Sequence, residues 1–189
     1  MDKSTLPGPV SIIHSPAAVD AAVRDIAARI NADLAALAPV EPPLVICVLT
    51  GAIVFTGMLL PHLAFPLELD YLHATRYGSA TVGGELRWIA RPRNSLKDRV
   101  VILVDDILDE GVTLHQIQAH CRAEGASRVL TAVLINKVRP RSLTVPVDYM
   151  GLNVPDVYVF GYGMDCSGLW RNAPGVFALH EGISAEVNT

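Results

Sequence analysis

Charge is scarce in this chain of 189 residues: 18% of them are Asp, Glu, Lys or Arg, against 51% hydrophobic. Disordered chains need the opposite balance, so that class is excluded. A basic excess is also missing. Fifteen Lys and Arg against nineteen Asp and Glu leave a net charge of −4, which argues against a broad nucleic-acid-binding face. The three cysteines, Cys47, Cys121 and Cys166, are far apart and form no CxxC pair. That speaks against a disulfide scaffold or a zinc site and fits a reducing compartment, read here as the cytoplasm. The longest apolar stretch, Leu44 to Leu63, is broken by Thr50, Gly51, Thr56, Gly57 and Pro61. It reads as a strand, a turn and a helix, so no membrane span is expected. The first ten residues carry no apolar core of a secretory signal. The six histidines, His14, His62, His73, His115, His120 and His180, show no metal-ligand spacing.

What the chain does have is size and periodicity. Its length corresponds to about one domain of roughly 150 residues, enough to bury a core without staples. Val19, Val23, Ile26, Ile30, Leu34 and Leu37 recur every three or four residues and predict a helix over residues 15–38. Ser15 suits its cap, Pro16 its first position and Pro39 its stop. Leu44–Leu49, Val100–Val104 and Arg128–Asn136 are continuous apolar runs, as in strands buried on both faces. Leu67–Ala74, Leu86–Arg91, Asp148–Leu152 and Val157–Phe160 read as further strands. Helices are expected at Ala52–Leu63 and Leu114–Glu124, the second ended by Gly125. Strands alternating with helices indicate a doubly wound α/β fold with a mostly parallel sheet. Residues 76–85 (RYGSATVGGE) have the composition of a loop or flap.

The most informative stretch is Val101–Thr113, VILVDDILDEGVT. A buried strand runs into two acids, a third acid, a glycine and a helix start. Thr113 and Gln116 have capping-box spacing, and Val112 with Ile117 supplies a hydrophobic staple. The free N–H groups of such a helix start form an anion site, and Gly111 lets the anion approach the backbone. In open α/β sheets ligands bind beyond the carboxyl ends of the strands, where this loop lies. An isolated run of acids would also suit plain strand-end solvation; the full string makes the site reading stronger.

Val101–Thr113 resembles the phosphoribosyl-pyrophosphate (PRPP) signature of the type I phosphoribosyltransferases. Other segments resemble that family's hypoxanthine-guanine branch. Leu49-Thr50-Gly51 looks like its pyrophosphate loop, and Arg76-Tyr77-Gly78 like the start of its flap. Lys137 in LINKVRPR stands where the branch places its purine-recognising lysine. Val157–Arg171, VYVFGYGMDCSGLWR, is similar to its C-terminal hood motif. The resemblance implies the type I phosphoribosyltransferase fold, in a single domain over residues 1–189. The core would span about 40–152, and the hood would come from the N-terminal segment and about 153–189.

The implied reaction joins hypoxanthine or guanine to PRPP, giving IMP or GMP and pyrophosphate, with magnesium as cofactor. In this reading Asp105 and Asp106 meet the ribose hydroxyls and the metal, and Asp109 exchanges a proton with purine N7. Glu110, Gly111, Val112 and Thr113 hold the 5′-phosphate. Thr50, Gly51, Arg76, Tyr77 and Arg171 attend the pyrophosphate, Arg76 and Tyr77 by closing over it. Lys137 faces the purine 6-oxo group, Tyr158 stacks on the base, and the Val159 carbonyl accepts from a 2-amino group. Asp165 lies at the purine and pyrophosphate end as a further metal ligand. Several of these residues also have plainer readings. Lys137, Arg139 and Arg141 could form a merely basic loop, Tyr158 a core aromatic, and Asp165 with Arg171 a surface ion pair. Two departures from the family pattern stand out: Thr50 replaces a common lysine, and Glu110 a common threonine or serine. The resemblance further implies a homodimer or homotetramer, without nucleic-acid or membrane partners. The rival functions are a nucleotide-sensing RNA-binding regulator on the same fold, and a magnesium phosphohydrolase using the Asp cluster.

Overall fold

The structure is a computed structural model and describes residues 8–76 and 86–180. Its first helix forms as the sequence predicts. In α1 (Pro16–Leu37) the Ser15 hydroxyl accepts the Ala18 N–H at 3.3 Å, and Pro16 opens the first turn. One face, Val19, Val23, Ile26, Ile30 and Leu34, is buried. The chain leaves through Ala38 in a left-handed conformation, whose N–H returns to the Leu34 carbonyl at 3.0 Å.

The strands β2 (Leu44–Leu49), β3 (Glu68–Arg76), β4 (Leu86–Ala90), β5 (Val100–Leu108), β6 (Arg128–Val138) and β7 (Tyr149–Pro155) form one six-stranded sheet. Its order is β4-β3-β2-β5-β6-β7, and every neighbouring pair is parallel except β3–β4. Side chains alternate between the faces, so each central strand feeds two cores. Ile102, Val104, Leu130, Ala132 and Leu134 pack with α1. Leu44, Ile46, Val101, Leu103 and Val133 pack with Leu114, Ile117 and Cys121 of α3 (Val112–Ala123). The helix α2 (Ile53–Leu59), continued by a 3₁₀ turn over Leu60–His62, follows the turn after β2. Helices on both faces of a mostly parallel sheet give the expected α/β architecture.

A second sheet stands apart: β1 (Val10–His14), β9 (Val176–Leu179) and β8 (Tyr158–Phe160), antiparallel in the order β1-β9-β8. It has a small core of its own around Phe160, Cys166 and Ala173, with Phe160 stacked on Phe177 at 5.4 Å between ring centres.

Several boundaries differ from the sequence reading. Strand β5 does not end before the acids. It continues through Asp105 and Asp106 to Leu108, because β6 supplies ladder partners at Ile135 and Asn136. The capping box at Thr113 does not form. The helix begins two residues earlier, with Gly111 as its cap at φ +79, so Thr113 already lies inside the first turn. Strand β6 also runs on to Val138, which places Lys137 within it. Gly125, at φ +87, does end α3, and the Ala126 N–H closes the turn on the Cys121 carbonyl at 3.1 Å.

Candidate active site

Asp105 and Asp106 are consecutive on β5, and each carboxylate turns back on the chain. Asp105 Oδ1 accepts the Asp106 N–H at 3.0 Å, and Asp106 Oδ1 accepts the Ile107 N–H at 2.9 Å. Burial, and then the neighbouring Asp106, push the Asp105 carboxyl well above the ordinary carboxylate range. Burial also raises Asp106, moderated by its hydrogen bonds and by the positive charge of Arg171. Such a pair gains from any donor or cation brought to it.

The backbone closes tightly around this pair. A Cβ added to Gly51 would stand 1.9 Å from Asp106 Oδ2. A Cβ added to Gly163, at φ +106, would stand 1.8 Å from the Gly51 carbonyl oxygen. The turn after β2, the end of β5 and the segment after β8 therefore meet at two positions where only glycine fits. The peptide between Leu49 and Thr50 is cis, and the Thr50 side chain is exposed.

From the hood side comes Arg171. Its guanidinium donates to the Gly163 carbonyl at 2.6 Å and pairs with Asp165 Oδ1 at 2.8 Å. Asp165 Oδ2 accepts the Gly168 N–H at 2.8 Å, so both oxygens of Asp165 already have partners within the chain. In the free protein its carboxylate anchors the arginine, the ion pair that was the plainer reading of Asp165 with Arg171. Tyr158 is no core aromatic. The residue is 49% exposed, and its hydroxyl donates to the Asp165 carbonyl at 3.1 Å. Val159 is buried in β8, opposite Ala178.

Beyond β5, Asp105, Ile107, Asp109, Glu110, Gly111, Val112 and Thr113 line a cavity of about 220 Å³. With no side-chain hydrogen bond to the cap of α3, its first turn leaves backbone donors for an anion. Gly111 is needed there as well, since a Cβ would stand 2.5 Å from Val145. Asp109 flanks the cavity. Its Oδ2 accepts from Lys137 Nζ at 2.8 Å and its Oδ1 from Arg139 at 2.8 Å. Burial alone would raise the Asp109 carboxyl, but these hydrogen bonds and charges outweigh it and hold the group below its ordinary range. The partner expected for Lys137 was a purine oxygen; in the free protein it is this carboxylate, because a half-buried ammonium recruits the nearest anion.

The phosphoribosyl transferase domain model matches residues 9–167. The chain belongs to the phosphoribosyl transferase family. It is 33% identical to the hypoxanthine-guanine phosphoribosyltransferase of Bacillus subtilis (strain 168), over 75% of this chain and 79% of that protein. It is 34% identical to the hypoxanthine-guanine-xanthine phosphoribosyltransferase of Tritrichomonas foetus, over 75% of this chain and 78% of that one. The hypoxanthine phosphoribosyltransferase of Trypanosoma cruzi, solved with the product IMP, superposes with a TM-score of 0.85 at 25% identity, covering 91% of this chain and 95% of that one.

Within this member of the family, the two arginines whose plainer reading was a basic loop have specific work. Arg139 holds Asp109. Arg141 donates to the backbone carbonyls of Asp109 at 2.6 Å and Leu108 at 2.9 Å, to that of Lys137, and to the Asn136 side chain at 2.8 Å. It thereby ties the end of β5 to the end of β6. Only the signal K-x-R-x-R directly after a strand marked them. Arg76 is the last residue of β3, paired with Leu86. Tyr77 and the rest of the expected flap, through residue 85, lie outside the described residues. No helix among the described residues is long and apolar enough to cross a membrane.

Proposed function

We propose that this phosphoribosyltransferase serves purine salvage, moving the 5-phosphoribosyl group of PRPP onto hypoxanthine or guanine to yield IMP or GMP and pyrophosphate. The observation that carries the reading is the pairing of Asp109 with Lys137 beside the Asp105–Asp106 carboxylates and the open first turn of α3. One side has an acceptor and a cation suited to a purine, and the other has acids and backbone donors suited to a sugar phosphate.

In this reading the α3 turn, from Glu110 to Thr113, binds the 5′-phosphate through backbone N–H groups. The ribose hydroxyls donate to Asp105 and Asp106, which relieves their mutual repulsion. Magnesium suits the same pair, whose raised affinity for protons marks charge that Arg171 offsets only in part. When bound, the ion would neutralise charge developing on the departing pyrophosphate. Arg171, aligned by Asp165, and the Gly51 turn attend the same phosphates. As the C1′–oxygen bond to pyrophosphate breaks with its electron pair, purine N9 forms the new bond to C1′, and the N7 proton passes to Asp109. A carboxylate held ionised is in the correct state to accept it. The exposed Tyr158 ring offers the base a stacking surface, and the Val159 carbonyl an acceptor for a 2-amino group. An ammonium carries three N–H donors, so Lys137 can bond Asp109 and a purine 6-oxo group together. Cytoplasmic residence fits the three buried, unpaired cysteines, and homo-oligomerisation remains part of the proposal.

A steady-state assay tests this: PRPP, magnesium and one base at a time. Turnover with hypoxanthine or guanine and almost none with adenine is expected. Release of inorganic phosphate from nucleotides without any need for PRPP would overturn it. A salt-sensitive RNA complex without turnover would favour the regulator instead.

A further inference from the structure

Charges of both signs surround the proposed proton acceptor. Lys137 lies near the end of β6 and Arg139 just past it; both reach Asp109, while Val138 between them is exposed. On their other side stands Asp156, in the turn joining β7 to β8. Its Oδ1 is 3.5 Å from Arg139 Nη1 and 4.0 Å from Lys137 Nζ. One guanidinium nitrogen therefore serves Asp109 at 2.8 Å and Asp156 at 3.5 Å. The remaining charges facing this group are Glu110, next in the chain to Asp109, which acts on Arg139, and Arg141, bound to the Asp109 carbonyl.

We infer that Arg139 is a positioning residue for Asp109, fixing one carboxylate oxygen so that the other faces Lys137 and the purine, and that Asp156 governs how strongly it does so. The inference rests on the function proposed above, where Asp109 takes the purine proton. Each member has a distinct job. Lys137 contacts the base; Arg139 is directed at the far oxygen of Asp109 and sets how basic the carboxylate is. Asp156 draws part of the guanidinium charge away, carrying the hood's position into the acceptor's chemistry. The Asp109 hydrogen bond in turn holds Arg139 more firmly protonated than a free arginine, so the contact persists across the working pH range.

The sign of each perturbation follows. Removing Arg139 takes a cation from Asp109 and raises its carboxyl; neutralising Asp156 returns charge to Arg139 and lowers it. Because the group is partly open to solvent, the first change should be about 0.5–1 pH unit, below the 1–3 of a desolvated Asp–Arg pair. The test is a carbon-13 titration of the Asp109 carboxyl in the free protein, with pH profiles of kcat/KM for hypoxanthine. Arg139→Met should move the carboxyl titration and the acidic limb upward together, with KM for PRPP within about twofold of the parent. Arg139→Lys should restore part of the shift, and Asp156→Asn should move both downward. Unmoved titrations in Arg139→Met and Asp156→Asn, or shifts of the same sign, would overturn the inference. So would a loss of kcat in Arg139→Met with the carboxyl unmoved, since that is a structural role. If the parent protein turns over no oxopurine with PRPP, the functional reading fails, and the carboxyl titration still judges Arg139 on its own.

Discussion

Replacing Gly51 with alanine puts a methyl group in place of a hydrogen at the most crowded point of the site. The new methyl would lie 1.9, 2.4 and 2.8 Å from the Oδ2, Cγ and Oδ1 atoms of Asp106, all far inside contact distance. Two responses are open. If the carboxylate rotates, Oδ1 leaves the Ile107 N–H it holds at 2.9 Å. Such a bond to a charged group contributes about 1.5–3 kcal/mol, and an off-rotamer side chain adds about 0.5–1.5 kcal/mol. If the turn moves instead, its carbonyl shifts against Gly163, which has no space to yield. Either way about 2–4 kcal/mol falls on groups proposed to face PRPP. At about 1.4 kcal/mol per factor of ten, kcat/KM for PRPP should drop roughly 30- to 1,000-fold. Gly57→Ala is the matched control. It lies on the exposed side of α2 with nothing within 4 Å of its added carbon, and should stabilise the fold by up to about 1 kcal/mol with unchanged kinetics. Steady-state kinetics with varied PRPP and thermal melts of both variants decide the matter. If Gly51→Ala keeps kcat/KM within twofold of the parent, the close approach of turn and carboxylate has no part in binding, and the reasoning fails.

Three other substitutions probe different parts of the site. In Lys137→Met the donor for a 6-oxo group is gone, so oxopurine turnover should fall steeply and the preference over adenine, about 10⁴-fold for a site built on that bond, should collapse; competition assays with mixed bases measure it. Thr50→Lys adds a cation beside the proposed pyrophosphate position and should tighten PRPP binding, more so at low salt, which calorimetry across ionic strengths reads out. Asp105→Asn should raise the melting temperature near neutral pH in magnesium-free buffer while abolishing turnover. Because the folded-state affinity of Asp105 for its proton is raised, the native state binds more protons than the unfolded chain between the ordinary and the raised carboxylate values. Its burden on stability thus grows as pH rises through that window, and the advantage of the asparagine should vanish at pH below it.

The central architecture was legible because its strands are pure apolar runs. Leu44–Leu49 and Val101–Val104 can be buried on both faces in one way only, and the acids after Val104 had to mark an edge of that core. The hood was less legible. Val10–His14 mixes polar and apolar residues over five positions, and Val176–Leu179 spans four, so their strand character comes from pairing with each other across more than 160 residues of chain. The edge strand β4 was readable from the alternation in LRWIA, within a residue of its observed end, and it returns antiparallel along β3. The capping box at Thr113 failed because Gly111 reaches a left-handed backbone that a propensity for side-chain caps does not describe. Within the site, residue types were readable and partnerships were not. Lys137 announces a cation at a strand end, and nothing local says that its anion lies 28 positions earlier.

Arg141 has a consequence for how this protein loses activity. Its single side chain bridges carbonyls on both strand ends that carry Asp109 and Lys137. The sheet beneath them is locked by buried ladders, while these last residues are joined by side chains, the half-exposed Arg141 guanidinium and the Asp109 pairs with Lys137 and Arg139. Local opening there costs far less than unfolding the sheet. Mild heat or denaturant should therefore fray the two tips apart first, with the proposed catalysis lost reversibly over a range in which circular dichroism still reports an intact molecule.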